Sequence, residues 1–284
     1  MILTKKRGAW AAQRATAPTF KGDKLHPPAA VMTRYVNALA ALTAQMTAQV
    51  NREVRKLFAS DAALAHFGQD ATIASQSRIL MNSLAAKFND LFAKRAKDIA
   101  TTMVDGATKA SGATLNSSLA TLSGGLSLKT HLGGAELSNI TTASVAENVS
   151  LIKSIPQQYL DKVQGAVMRS ITSGNGLQDL APALEQYEGQ THRRATNIAL
   201  DQTRKVYGAV NGARMRSIGL KQFMWHHSGG GAHPREDHVE MDGGIFDFDD
   251  LPVIDVNTGE RGLPGQAVNC RCVASPIFSF DYEG

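Results

Sequence analysis

The chain has 284 residues, of which 43% are hydrophobic and 6% aromatic, and its formal net charge is +5. This length is enough for one large domain or for two domains of ordinary size. The two cysteines lie one residue apart, so they do not form a disulfide framework, and we expect assembly in a reducing environment. We also expect no membrane span and no secretory signal, because no apolar run is long enough for either.

The charge is distributed unevenly along the chain. Residues 1–60 contain ten Lys or Arg against Asp23 and Glu53, a balance of +8, whereas residues 221–284 contain four Lys or Arg against eleven acids, a balance of −7. A basic leading end indicates contact with a polyanion or with an acidic protein surface. The alternative is two solvated surfaces that differ in sign.

Residues 1–28 are predicted to form a mobile basic arm, because they have no apolar period and end at Pro27-Pro28. Such an arm attracts the phosphates of double-stranded DNA in a salt-sensitive manner, without reading the bases. Six residues are the predicted nucleic-acid contacts: Lys5, Lys6, Arg7, Arg14, Lys21 and Lys24.

Residues 29–110 are predicted to be an N-terminal helical region. Apolar residues spaced by three or four indicate one amphipathic helix, and a second helical stretch runs from about Ile73 to Val104. The first apolar stripe is Val31, Tyr35, Leu39, Leu42, Met46, Val50, Val54 and Leu57, and the second is Leu80, Leu84, Phe88, Leu91 and Ile99. Residues 111–139 are rich in Gly and Ser, which predicts a linker or an extended excursion that is ordered against a partner.

Residues 140–220 are predicted to be a central helical domain. One helix has its apolar stripe from Ile152 to Ile171, accepts Pro156 in its first turn and stops at Gly174. A short helix from Asp179 to Tyr187 follows, with Pro182 in its first turn, and Thr191 caps a long helix that ends at Gly219. The stripe comprises Ile152, Ile155, Tyr159, Val163, Val167 and Ile171.

Residues 221–284 are predicted to be a small α+β module, rich in turns and containing the cysteines and four of the eight histidines. Three short apolar and aromatic runs indicate strands at Gln222 to Trp225, Gly244 to Phe248 and Val273 to Phe280. The predicted fold class is therefore mainly α, with long amphipathic helices and a small α+β Cys/His-containing module at the C-terminus.

A series of motifs in this half of the chain carries a family resemblance. A helix containing IALDQTR (198–204) is followed by Trp225, by RxxHxxMDG (235–243) and by PG leading to NCRC (269–272). This order resembles the minor head proteins of tailed bacteriophages, the head-morphogenesis family typified by the Mu F-like proteins, and it covers roughly Ala146 to Cys272. The motif residues are Trp225, Arg235, Asp242, Gly243, Asn269 and Arg271.

The resemblance implies a low-copy structural protein of the phage head, not an enzyme, that assembles in the host cytoplasm and resides in the virion. The implied partners are the portal protein and the major capsid or scaffolding protein, with double-stranded DNA as a further contact, since some such proteins are thought to leave with the DNA. Alternatives are a metal-dependent nuclease or an injected DNA-binding protein. Against a nuclease, the sequence shows no strand–helix framework that would place two His and an Asn around one ion. Gly229-Gly230-Gly231 also lacks the following Lys of a phosphate-binding loop.

The cysteines and histidines leave three interpretations of this module open. Cys270 and Cys272 would share one face of a strand, and two thiols with nearby imidazoles can fill a tetrahedral zinc site. His238 is the preferred third ligand, because it belongs to the resembling motif, and His226, His227 or His233 could supply the fourth, of which His233 is preferred.

The second interpretation is metal-free, and it leaves no cofactor to predict. The cysteines are then small buried residues, His238 bonds to Asp242 or to a backbone carbonyl, and Arg235 and Arg271 pair with acids of the loop. The third interpretation is an oxidisable thiol pair. The residues favour the metal-free interpretation, because their spacing is not that of paired zinc knuckles.

Overall fold

The computed structural model describes residues 19–64, 72–122, 134–230 and 234–279. Long helices dominate and short strands follow, which confirms the predicted fold class. The elements are β1 (Thr19–Lys21), α1 (Ala29–Leu64), α2 (Ile73–Leu122), α3 (Ala135–Ser173), α4 (Leu177–Ser217), β2 (Gln222–His226), α5 (Glu236–Glu240), β3 (Ile245–Asp247), β4 (Val253–Asp255), β5 (Glu260–Arg261) and β6 (Val273–Ser279). Among the described residues, no helix combines the length and the apolar character needed to cross a bilayer.

The chain divides into two compact units. The first division lies just before α1, and the other three fall inside α2, α3 and α4. We call Pro28–Ala107 with Thr141–Thr203 the helical unit. The described parts of Met1–Pro27, Thr108–Ile140 and Arg204–Gly284 are the mixed unit.

The helical unit buries the predicted stripe of α1 almost completely, from Val31 to Val54, although Leu57 is half-buried and Phe58 takes its place. On α2 the stripe is displaced from the prediction. Leu84 and Phe88 are buried as expected, but Leu80, Leu91 and Ile99 are half-buried. Their places are taken by Met81, Phe92, Ala96, Ala100 and Met103. Alanine at these positions allows close helix packing that a search for large apolar residues does not detect.

A series of hydrogen-bonded polar side chains crosses the core of the helical unit. The hydroxyl of Tyr35 donates to Asn148 Oδ1 at 2.8 Å, and Asn148 Nδ2 donates to Gln202 Oε1 at 3.1 Å. Gln202 in turn donates to Glu147 at 3.0 Å. Burial, with the nearby Glu147 charge, raises the pKa of Tyr35, so the phenol stays a donor. These bonds fix the relative register of α1, α3 and α4 within this unit.

The prediction of a linker at residues 111–139 is wrong at both ends. Residues 111–122 continue α2, and α3 already begins at Ala135; residues 123–133 lie outside the described residues. The helix persists because Leu115 and Leu119 are buried and the Ser111 hydroxyl bonds to Asn211. Gly112 is a packing position: a Cβ there would lie 2.9 Å from the Arg214 guanidinium.

The predicted break between Tyr187 and Thr191 is also absent, because α4 is continuous through it. Thr191 does not cap a helix, and its hydroxyl donates to the Tyr187 carbonyl one turn earlier, at 2.7 Å. Glu188 holds this joint by accepting bonds from Thr47 and Asn51 of α1, at 3.2 and 2.8 Å. Nor do the two prolines lie in first turns. Pro156 is in the middle of α3, and Pro182 is the sixth residue of α4.

In the mixed unit, four antiparallel strands form a sheet in the order β1-β6-β2-β3, and β4 and β5 form a separate hairpin. The three predicted strands correspond to β2, β3 and β6, with β2 and β6 in the middle. β1 was not predicted, because residues 1–28 were interpreted as a mobile arm. The structure corrects that interpretation for residues 19–27, since Phe20 pairs with Phe278 and Leu25 is buried in the core.

Candidate functional site

His238, Cys270 and Cys272 converge in the mixed unit although the cysteines follow the histidine by more than 30 residues. Their side chains are 2, 3 and 5% exposed, so all three are shielded from bulk water. His238 Nδ1 lies 3.4 Å from Cys270 Sγ and 3.7 Å from Cys272 Sγ, and the three atoms lie within 4.8 Å of one another. We call these residues the HCC cluster. The structure thus brings together three of the four predicted metal ligands.

The backbone around the cysteines explains how both sulfurs face the same point. Asn269 adopts a left-handed conformation with φ of 58°, which Asn tolerates better than most residues. Cys270 donates its N–H to the Ala267 carbonyl at 3.0 Å, and the N–H of Cys272 points at Cys270 Sγ at 3.4 Å. The Asn-Cys-Arg-Cys segment is therefore a turn that leads into β6, not the extended strand expected from the sequence.

The proton on His238 is placed by its other ring nitrogen. His238 Nε2 lies 3.0 Å from the carbonyl oxygen of Ile254 in β4, and a carbonyl can only accept. Nε2 therefore carries the hydrogen, and in the neutral ring the lone pair is on Nδ1, directed at the two sulfurs. The Trp225 ring packs edge-on against His238 at 5.2 Å between centroids and limits its rotation.

The two thiols polarise each other. Hydrogen bonding to Cys272 and then to His238 lowers the pKa of Cys270 despite its burial. The same pairing with Cys270, together with burial, raises the pKa of Cys272. Burial acts to lower the pKa of His238, but its bonds to Cys270 and to the Ile254 carbonyl raise it overall. The cluster therefore favours a negative charge on sulfur next to an imidazole.

The loop that carries the cysteines rests on two glycines of α4. A Cβ on Gly208 would lie 2.8 Å from the Pro264 carbonyl oxygen, and one on Gly212 would lie 2.2 Å from Leu263 Cδ1. Gly265, with φ of 88°, lets the loop turn against the backbone of Arg204. These close approaches fix the distance between α4 and the segment before Cys270.

The other motif residues hold the backbone segments around the cluster in place. Arg235 donates to the Val268 carbonyl at 2.9 Å, so it ties α5 to the cysteine loop. Among the described residues no acid pairs with it, in contrast to the expectation of the metal-free interpretation. Asp242 accepts the N–H of His227 at 2.9 Å and does not contact His238 as a hydrogen-bond partner. Gly243, with φ of 77°, donates its N–H to the Trp225 carbonyl. Arg271 is exposed and lies near Gly230.

The remaining candidate ligands are separated by the structure. His226 points away from the cluster, with Nε2 3.0 Å from the Ser275 hydroxyl, and burial together with Lys21 and Lys24 lowers its pKa to about 4. His227 has its Nδ1 occupied by the N–H of Gly229 at 3.1 Å. His233 lies outside the described residues.

A cavity of about 480 Å³ opens beside the HCC cluster. His227, Ser228, Arg235 and Asn269 line it together with the three cluster side chains. The cavity therefore adjoins one side of the cluster, although the three side chains themselves are buried.

The arm residues fall on both sides of the described boundary. Lys5, Lys6, Arg7 and Arg14 lie outside the described residues, whereas Lys21 ends β1 and Lys24 follows it. The sequence did not predict the role of the Ile254 carbonyl, because a backbone acceptor does not depend on the residue type. It did not predict the contacts of Gly208 either, because a glycine inside a helix is ordinarily read as destabilising.

Comparison with known proteins finds a family match in the region of the chain that contains these motifs. Residues 161–275 match the family model described as Phage Mu protein F like protein. An uncharacterized protein of Haemophilus influenzae is 41% identical over 142 residues, which is 49% of this chain and 30% of that protein. Uncharacterized protein YqbB of Bacillus subtilis is 27% identical over 124 residues, or 40% of this chain and 41% of that protein.

The chain thus spans less than half the length of these curated relatives, and no solved structure matches it. The matched region holds the last third of α3, all of α4, and most of the sheet with the HCC cluster. It also contains every motif from IALDQTR to NCRC that carries the resemblance. Through residues 161–275 the chain is therefore similar to the family described as Phage Mu protein F like protein.

Proposed function

We propose that this protein is a structural component of a tailed-phage head that docks on the portal vertex and the inner capsid during head assembly. The observation that carries the proposal is the Mu F-like region over residues 161–275. The protein acts by binding the portal protein and a major capsid or scaffolding protein in the host cytoplasm, and it stays in the virion without a catalytic role. Contact with the packaged DNA is a secondary part of this proposal.

The exposed surface near the HCC cluster supports docking through the mixed unit. Among the described residues, five large apolar side chains are exposed, and three of them lie in this segment: Val239, Val256 and Val268. Arg235 lines both the cavity beside the cluster and a second cavity of about 530 Å³, which is lined by Val256 and several acids. Apolar side chains set among acids suit a protein surface that is apolar with a basic rim.

Co-expression with the portal protein of the same phage tests the proposal. We expect the two proteins to co-sediment, and Val239→Glu with Val256→Glu to weaken the complex at least tenfold. Ile79→Glu is the matched control, because Ile79 is as exposed as Val256 but belongs to the helical unit. Absence of a complex with both portal and capsid proteins would contradict the docking function. Equal effects of the valine and Ile79 variants would contradict this surface.

A further inference from the structure

We propose that the HCC cluster binds one zinc ion through His238 Nδ1, Cys270 Sγ and Cys272 Sγ, with a fourth position that faces the cavity of about 480 Å³. The site does not depend on the proposed docking function, and either can fail without the other. Three protein ligands with one open position are a known arrangement for zinc.

The distances fit a tetrahedral ion. With Zn–S of about 2.3 Å and Zn–N of about 2.0 Å, a tetrahedral angle separates nitrogen from sulfur by about 3.5 Å. The observed separations from His238 Nδ1 are 3.4 Å to Cys270 and 3.7 Å to Cys272, which bracket that value. One sulfur at this distance would be an ordinary thiol–imidazole hydrogen bond. Here both sulfurs lie at this distance from the same nitrogen, as two ligands of one ion would.

The surroundings of the cluster orient the ligands as zinc sites require. A metal-bound histidine characteristically donates its other ring N–H to a carboxylate or a carbonyl, and His238 Nε2 does so to Ile254 at 3.0 Å. The indole Nε1 of Trp225 is buried with no hydrogen-bond partner within the described part of the chain. Trp225 lies close enough to interact with the Cys272 sulfur, and a metal-bound thiolate would be a stronger acceptor for it than a thiol.

The donor set also selects the metal. Two thiolates and an imidazole favour zinc and other soft or borderline ions, whereas calcium and magnesium require oxygen ligands. The ligands come from α5 and from the turn before β6, so the ion would join two segments more than 30 residues apart. Free zinc displaces the thiol protons on binding and needs no oxidant.

The experiment uses the full chain, purified without a His tag under reducing conditions and equilibrated with zinc before removal of the excess. We expect elemental analysis to find about one zinc per chain, held by the three protein ligands. Cobalt in its place should give the intense sulfur-to-cobalt charge-transfer band and the visible bands of a tetrahedral thiolate site. A folded, reduced protein that takes up no zinc and shows no such bands overturns the proposal.

Variants distinguish ligation from packing. Cys272→Ser and His238→Asn should lose the ion, whereas His238→Cys should keep it, because a thiolate replaces an imidazole in zinc sites but not in a hydrogen bond to Ile254. His226→Asn is the matched control, since His226 is buried in β2 but bonds to Ser275 outside the cluster. The ligand assignment would be refuted if Cys272→Ser kept stoichiometric zinc. It would also be refuted if His226→Asn lost the ion while the variants of the HCC cluster kept it.

Discussion

Replacing Gly208 by Ala tests whether the contact between α4 and the cysteine loop determines the stability of the mixed unit. The new Cβ would lie 2.8 Å from the carbonyl oxygen of Pro264, and a backbone atom cannot move away as a flexible side chain can. Gly189 lies in the same helix, and a Cβ there would meet nothing within 4 Å. The same chemical change at these two positions therefore differs in packing alone.

The magnitude follows from two opposing terms. Gly→Ala inside a helix stabilises the folded state by about 1 kcal/mol, because the backbone entropy of the unfolded chain is smaller. Overpacking in a close contact costs roughly 1–3 kcal/mol. Gly189→Ala should therefore raise the free energy of unfolding by up to about 1 kcal/mol. Gly208→Ala should lower it by about 0–2 kcal/mol, which leaves a difference of about 1–3 kcal/mol between the two variants.

Urea unfolding followed by far-ultraviolet circular dichroism measures this difference, because the signal reports on the helices of both units, whereas tryptophan fluorescence reports on the mixed unit alone. Trp225 is buried in the mixed unit, and a Trp10→Phe background leaves it as the single indole of the chain. If both variants stabilise the protein equally, the close approach of Pro264 to α4 is not a constraint. The position of Cys270 and Cys272 would then have to be determined by contacts other than the one between Gly208 and Pro264.

Two further predictions concern charge. Because the pKa of His226 falls from 6.5 to about 4 on folding, the unfolded chain binds more protons between these values. Stability should be lost as pH falls through this window, by at most about 3 kcal/mol, and His226→Gln should flatten that part of the profile; a variant profile parallel to the parent's would contradict the assignment. Deleting residues 1–18, which spares β1 and the buried Leu25, should make the salt dependence of DNA retention less steep, by about 0.9 for each phosphate that the shortened chain no longer neutralises. An unchanged slope would show that these residues do not bind phosphate.

The sequence predicted those parts of the fold in which one side of an element is apolar and the other polar. The stripe of α1 and the strands β2 and β6 are of this kind, since burial of large side chains leaves a periodic trace. The errors occurred where helices are held by small or polar residues. Ser111 and Gly112 resemble a linker in composition, but they pack against Asn211 and Arg214 on the end of α4.

For the candidate site, the sequence identified the ligand types and could not determine their arrangement. Four histidines lie between positions 226 and 238, and alternation along a strand does not tell which of them meets the cysteines. The structure decides between His226 and His238 through two hydrogen bonds, one to Ser275 and one to the Ile254 carbonyl. Both partners are distant in sequence, so local patterns contain no information about them.

The motif residues divide into those that could touch an ion and those that hold the backbone around it. Arg235, Gly243 and Asn269 belong to the second group, because each acts through a backbone conformation or a carbonyl partner. Their combined effect is to bring α5 and the turn before β6 to the distance at which one imidazole nitrogen faces two sulfurs. A motif that needed only buried cysteines would not require this positioning, since small apolar residues would fill the same space. The proposed zinc site makes use of this positioning, whereas the metal-free interpretation does not require it.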